Sequence, residues 1–189
     1  MKRTINALMC IVLASLALSA RGQVVPSATG RKLTITAGGM GSVFQPDYAG
    51  GLTALTSPNR LYGAGVYVDV RVSRWLQFEA EGRWLNFNQY YSGVPPTGNG
   101  ESNYLAGYRL PFTMPRYTRI KPYGKVLVGF STASFLSGHA TTLAYGGGID
   151  YRLNRRFTIR ACDFEYQQWR TTPTLFPYGL SVGLGYKVF

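Results

Sequence analysis

Charged residues at every second position are the first groups here with chemical potential. Asp69 and Arg71 lie in one run, and Glu79, Glu81 and Arg83 in the next. Carboxylates paired across a cleft are the equipment of glycoside hydrolysis, one acting as acid and the other as base or nucleophile. Packed into a narrow space with arginines, the same residues form a salt-bridged plug. Ser137, His139 and Thr141 are a second candidate, because an imidazole beside a hydroxyl can activate it as a nucleophile. No evident third residue orients that imidazole. Gly146-Gly147-Gly148 and Gly183-x-Gly185 have the glycine density of a phosphate loop. No helix pattern follows either, so they read as strand glycines that relieve crowding around large neighbours.

Metal and thiol chemistry have little to work with. Cys10 and Cys162 are the two cysteines and His139 is the single histidine. No Cys/His ligand spacing exists, and no cofactor is expected. Cys10 falls in an N-terminal apolar run, which leaves Cys162 without an internal disulfide partner.

The elements that must position these residues follow from periodicity. Tyr62, Ala64, Val66, Val68, Val70 and Val72 share one parity, and Gly63, Gly65, Tyr67, Asp69 and Arg71 the other. Leu76, Phe78, Ala80, Gly82 and Trp84 alternate with Gln77, Glu79, Glu81 and Arg83. Strict alternation means strands with one apolar and one polar face. A helix would scatter Glu79, Glu81 and Arg83 around its circumference. Eight such segments are expected, at 32–44, 61–72, 76–87, 103–112, 122–133, 141–153, 156–168 and 178–188. Each is about long enough for a tilted transmembrane strand.

Turn-formers separate the segments: Pro46-Asp47, Ser57-Pro58-Asn59, Pro95-Pro96, Ser137-Gly138 and Thr172-Pro173. Connections at Ser73-Arg74-Trp75 and Asn154-Arg155 are tight, whereas those after the first and third strands are long. Short turns on one side and long loops on the other fit an all-β, eight-stranded antiparallel up-and-down transmembrane β-barrel.

A soluble lipocalin-like barrel shares the alternation but reverses its faces. Three features favour lipid outside. The polar face is glycine-rich and carries opposite charges, which suits a filled interior. Aromatics sit near strand ends as two girdles: Trp75 and Trp84, Tyr178 and Tyr186, and Trp169. Charged residues are only 15%, too few to coat a soluble exterior. The expected interior ionic network is Asp69, Arg71, Glu79, Glu81, Arg83, Arg109, Lys125, Asp150, Arg152 and Arg160. Pairing about Arg74 sets Asp69 opposite Glu79 and Arg71 opposite Gln77, with Arg71 diagonal to Glu79. An eight-stranded lumen is just wide enough for side chains, which leaves no substrate room and favours the plug over the glycosidase. The seventh segment breaks phase between Ala161 and Phe164. A β-bulge near Cys162 keeps Asp163 and Glu165 inside; without it, two carboxylates meet lipid.

The N-terminus reads as an address. Lys2 and Arg3 precede an apolar run from Ile5 to Leu18, and Ser19, Ala20 and Gly22 follow. That order is a secretory signal peptide over 1–22, then a lead-in over 23–30 and the barrel over 31–189. Losing Lys2, Arg3 and Arg21 lowers the net charge of +12 to +9. The remaining basic residues gather at the short turns: Arg71, Arg74, Arg116, Arg119, Lys121, Arg152, Arg155 and Arg156. They are expected to form a periplasmic rim on anionic phospholipid headgroups. Nucleic acid is the other partner a basic chain suggests, and it is not expected of an exported barrel.

Pro122-Tyr123-Gly124, Gly146-Gly147-Gly148-Ile149-Asp150 and the last strand, Leu180 to Phe189, together with the leader, carry a resemblance over 31–189. The chain resembles the outer-membrane β-barrel domain family, the small OmpA/OmpX-like barrels labelled porin-family proteins. The resemblance implies an outer-membrane monomer in a lipid bilayer, with no shared catalytic residues. It also implies that Phe189 is an assembly signal read by the barrel-insertion machinery. Phe189 stands one residue out of phase with Tyr186, Leu184 and Val182. Membrane integrity, adhesion or binding through the outer loops is the implied role. A small ion or water pore, a lipid-modifying enzyme and a soluble binding barrel are the rivals.

Overall fold

The computed structural model describes residues 33–47, 60–73, 75–87, 100–112, 119–133 and 136–188. Phe189, Arg74, Arg116 and the 1–30 leader and lead-in lie outside the described residues. Eight strands run in chain order: β1 (Thr34–Gln45), β2 (Leu61–Arg71), β3 (Gln77–Phe87), β4 (Gly100–Pro111), β5 (Ile120–Ala133), β6 (Ala140–Arg152), β7 (Phe157–Arg170) and β8 (Tyr178–Lys187). Each pairs antiparallel with the next, and β1 pairs with β8 from Thr36↔Lys187 to Gln45↔Tyr178. The barrel is closed, so no strand edge is left to aggregate. The largest departure from the expected bounds is at β4, which starts at Gly100 instead of Asn103.

Two tight turns close one end, each by a side chain that satisfies backbone donors. Ser73 Oγ accepts from the Trp75 and Leu76 amides at 3.2 and 3.1 Å. Asn154 Oδ1 accepts from the Arg156 and Phe157 amides at 2.8 and 2.7 Å. Short polar side chains that bond their own turn are the reason Ser and Asn sit there.

The alternation sorts side chains as expected. Val66, Val68, Val126, Val128, Leu143, Leu180, Val182 and Leu184 face outward as an apolar band. Aromatic contacts border it on both sides. Towards the long-loop end, Trp84 Nε1 donates to Tyr104 Oη at 3.0 Å, and Tyr104 packs on Phe130 at 5.3 Å. Towards the short-turn end, Phe78 meets Tyr108 at 5.0 Å and Phe157 meets Tyr186 at 5.2 Å. Trp75, Trp84 and Tyr186 are exposed and Tyr178 is half-buried.

Trp169 is a correction. It is 1% exposed and points into the barrel, where its indole N–H donates to Gln167 Oε1 at 2.7 Å. The cause is the bulge in β7. Ile149 pairs Cys162 but Asp150 pairs Arg160, and across to β8 the register slips between Arg160 and Asp163. The extra residue turns odd positions inward from Asp163 on, and Trp169 goes with them. Phe164 is correspondingly 46% exposed on the outer face.

Candidate functional site

The lumen is the candidate site, and six strands supply its charges. Lys125 of β5 sits at its centre. Its ammonium lies 2.7 Å from Glu165, 2.8 Å from Asp163, 3.1 Å from Glu81 and 3.4 Å from Glu79. Towards the long loops, Arg83 pairs with Glu165 at 2.6 Å and Glu81 at 2.8 Å. Towards the short turns, Arg160 pairs with Glu79 at 3.0 Å and Asp69 at 3.2 Å. Arg109 then bridges Asp69 at 2.6 Å and Asp150 at 2.5 Å. The result is a continuous stack in which each cation sits between carboxylates. Six carboxylates surround four cations, so each cation is shared by more than one carboxylate and the fully ionised stack keeps two excess negative charges.

The two strands that give the stack no charge, β1 and β8, make this geometry possible. The inward positions of β1 and β8 include Gly38, Met40, Ser42, Ser181, Gly183 and Gly185. A side chain at Gly38 would collide with the Tyr67 ring, and one at Gly185 with the hydroxyl of that ring. That ring lies 3.7 Å from the Arg160 guanidinium, and Tyr123 lies 3.5 Å from that of Arg109. Glycine opens the wall, tyrosine fills it, and the stacked arginine is held in place.

The register seen between β2 and β3 has Asp69 opposite Glu79 and Arg71 opposite Gln77. Like charges directly opposed repel unless cations intervene. Arg160 and Arg109 intervene here, reaching Glu79 at 3.0 and 3.4 Å. Arg71 makes no ion pair with the diagonal Glu79; it donates to the side-chain oxygen of Gln77. Arg71 and Arg152 are corrections in depth. They line the short-turn mouth and stand outside the ion-paired stack. Parity gives a residue's face, whereas its depth depends on the stagger of the closed barrel.

Sequence reasoning reached Asp163 and Glu165 only through the bulge, and it missed Glu101. Glu101 of β4 is buried and accepts from Asn103 Nδ2 at 2.9 Å. It shares parity with Arg109, and only the late expected start of β4 hid it. The lumen is also less uniformly polar than expected. Phe44, Leu61 and Leu85 form one buried apolar cluster, and Trp169, Ala140 and Leu175 another, at the long-loop end. Asp47 pins that end by accepting from the Phe176 amide at 3.0 Å.

The chemical options narrow accordingly. Glu79, Glu81 and Asp163 have oxygens within 4.8 Å of one another, the spacing of a metal site. The Lys125 ammonium lies among them at hydrogen-bond distance, so that place is already filled by a cation. Arg83, Lys125 and Arg160 have side chains that water does not reach. A channel passing them would wet them, so the cross-section is closed at their level. His139 is exposed, and its ring meets Phe130 edge-on at 6.1 Å.

Comparisons agree with this architecture. A family model described as outer membrane protein beta-barrel domain matches residues 10–187. A search of curated proteins gave no match. Among solved structures, Neisserial surface protein A is similar at 14% identity and a TM-score of 0.57. The alignment covers 82% of this chain and 96% of that one. Ail, the attachment invasion locus protein of Yersinia pestis, is similar at 16% identity and a TM-score of 0.52. There the coverage is 82% and 97%.

Proposed function

The chain belongs to the outer membrane protein beta-barrel domain family, and from that premise we propose a sealed, non-catalytic barrel that works through its outer loops or by reinforcing the membrane. One observation carries this reading: the side chains of the central cations of the lumen have no contact with water. A lumen filled at this level offers no conducting path and no room for a substrate beside the stack. The long connections point the same way by composition. Residues 88–99 read Asn-Gln-Tyr-Tyr-Ser-Gly-Val-Pro-Pro-Thr-Gly-Asn, with no charge. Tyr, Ser, Gly and Asn are the residues of adaptable binding loops. Adhesion or binding through these segments is the interaction branch of the reading, and membrane integrity is the structural branch.

Export by the 1–22 leader, insertion through a terminal signal at Phe189 and a monomeric state complete the proposal. An even strand number places both ends of the barrel domain on the short-turn side, which faces the periplasm in such barrels. Purified barrel in a planar bilayer is expected to show no unitary conductance steps. Steps of constant size would overturn the sealed reading and favour the pore.

The exposed basic residues at the short turns are assigned to anionic headgroups of the inner leaflet. Arg119, Arg155 and Arg156 are exposed, and Arg156 donates to Tyr186 Oη at 3.3 Å on the outer face. Reversing Arg155 and Arg156 to glutamate is expected to weaken association with anionic liposomes in flotation. Each lost charge removes roughly 1 kcal/mol of attraction near the surface. Unchanged flotation would dismiss this rim.

A further inference from the structure

The short-turn mouth of the barrel opens into a polar cavity of about 290 Å³. Its floor is Arg109, ion-paired with Asp69 and Asp150. Its walls are different. Arg71, Lys121, Arg152, Arg155 and Lys187 all line it. None of the five makes an ion pair within 4.0 Å with a described carboxylate. Arg71, Lys121, Arg152 and Lys187 hold the inward-facing parity of β2, β5, β6 and β8, so they point over the lumen rather than towards lipid. Five like charges around one concavity repel each other, and their field is focused by the low-dielectric walls. Thr34, Thr158 and Asn154 add polar groups to the same space.

We propose that this mouth is a binding site for a small soluble polyanion bearing phosphate groups, of the size of pyrophosphate. The volume corresponds to roughly ten water molecules at about 30 Å³ each, hence to a ligand of about ten non-hydrogen atoms. Multiple negative charges match a lining of six cations and two carboxylates better than a single carboxylate does. Guanidinium forks and a lysine point charge are the usual partners of phosphate oxygens. The sealed stack behind the floor keeps such a ligand at the mouth, so the site binds without conducting. The inference goes beyond the loop-based role and does not depend on it.

The test uses folded full barrel in a zwitterionic detergent at low salt, with pyrophosphate added in a calorimeter. Saturable one-to-one binding is expected. Arg71→Gln with Lys121→Gln should weaken it by about tenfold or more, since hydrogen bonds to charged groups are lost. Arg152→Gln, at the exposed edge, provides a second variant should the first pair fail to fold. Arg170→Gln, at the opposite end of the barrel, should leave binding unchanged. The parallel arm distinguishes a free phosphate from a lipid headgroup by using nanodiscs containing phosphatidylglycerol and no pyrophosphate. Binding confined to those nanodiscs would overturn the proposal in favour of the rim. So would heat from pyrophosphate that does not saturate, or that falls equally with Arg170→Gln.

Discussion

Arg160→Met is expected to lower the unfolding free energy of the barrel by about 3–5 kcal/mol, the penalty for removing one member of a buried ionic set. Arg160 reaches Asp69, Glu79 and Asp163 at 3.2, 3.0 and 3.6 Å, and its guanidinium stacks on Tyr67 at 3.7 Å. Methionine fills a similar length but leaves those carboxylates facing one another. Six carboxylates already surround four cations, so the remaining three cannot absorb the loss. Urea unfolding in detergent, followed by tryptophan fluorescence, measures the effect. Adding Glu79→Gln to Arg160→Met should recover part of the stability, because the repelling charge goes with its partner. A single variant as stable as the parent would mean that the ionic stack does not hold the lumen.

Val128→Arg is expected to destabilise the inserted barrel by about 2–4 kcal/mol, the range for arginine at the bilayer midplane of a barrel. Val128 is 58% exposed on β5 and pairs with Ala106. Two residues away on either side, its strand pairs Phe130 with Tyr104 and Val126 with Tyr108. It therefore sits midway between the two aromatic borders. In water the same change would fall within about 0.5 kcal/mol, as for other surface substitutions. Refolding into vesicles separates the two cases directly. Indifference to Val128→Arg would return the outer face to solvent and favour a soluble barrel.

The sequence carries the barrel more clearly than it carries the lumen. Period-two alternation gives each strand and its faces, because a residue's parity is fixed by the pleat. The β2–β3 register follows from a short turn about Arg74, and Asp69 does face Glu79. The bulge leaves a trace as well. Asp163 and Glu165 fall on the wrong parity, and burying charges away from lipid requires one extra residue. Carrying that shift onward also takes Trp169 inside, and residue type alone gave the opposite reading.

Partners across the lumen are another matter. Lys125 with Glu165, and Arg160 with Glu79, come from strands that are not neighbours. Only closure and stagger bring them together. Depth is hidden for the same reason, so Arg71 and Arg152 looked like members of the stack. Glu101 was lost to a boundary: an alternation read from Asn103 leaves it in a loop.

Heat-modifiability tests the central claim most directly. The protein extracted from an outer-membrane fraction with mild detergent is run on a gel with and without boiling. A closed barrel resists cold detergent, so the unboiled band should migrate apart from the boiled one, and Arg160→Met should lose that shift at a lower temperature. A chain that stays in the soluble fraction and runs identically with and without boiling would contradict the membrane barrel and its sealed ionic lumen.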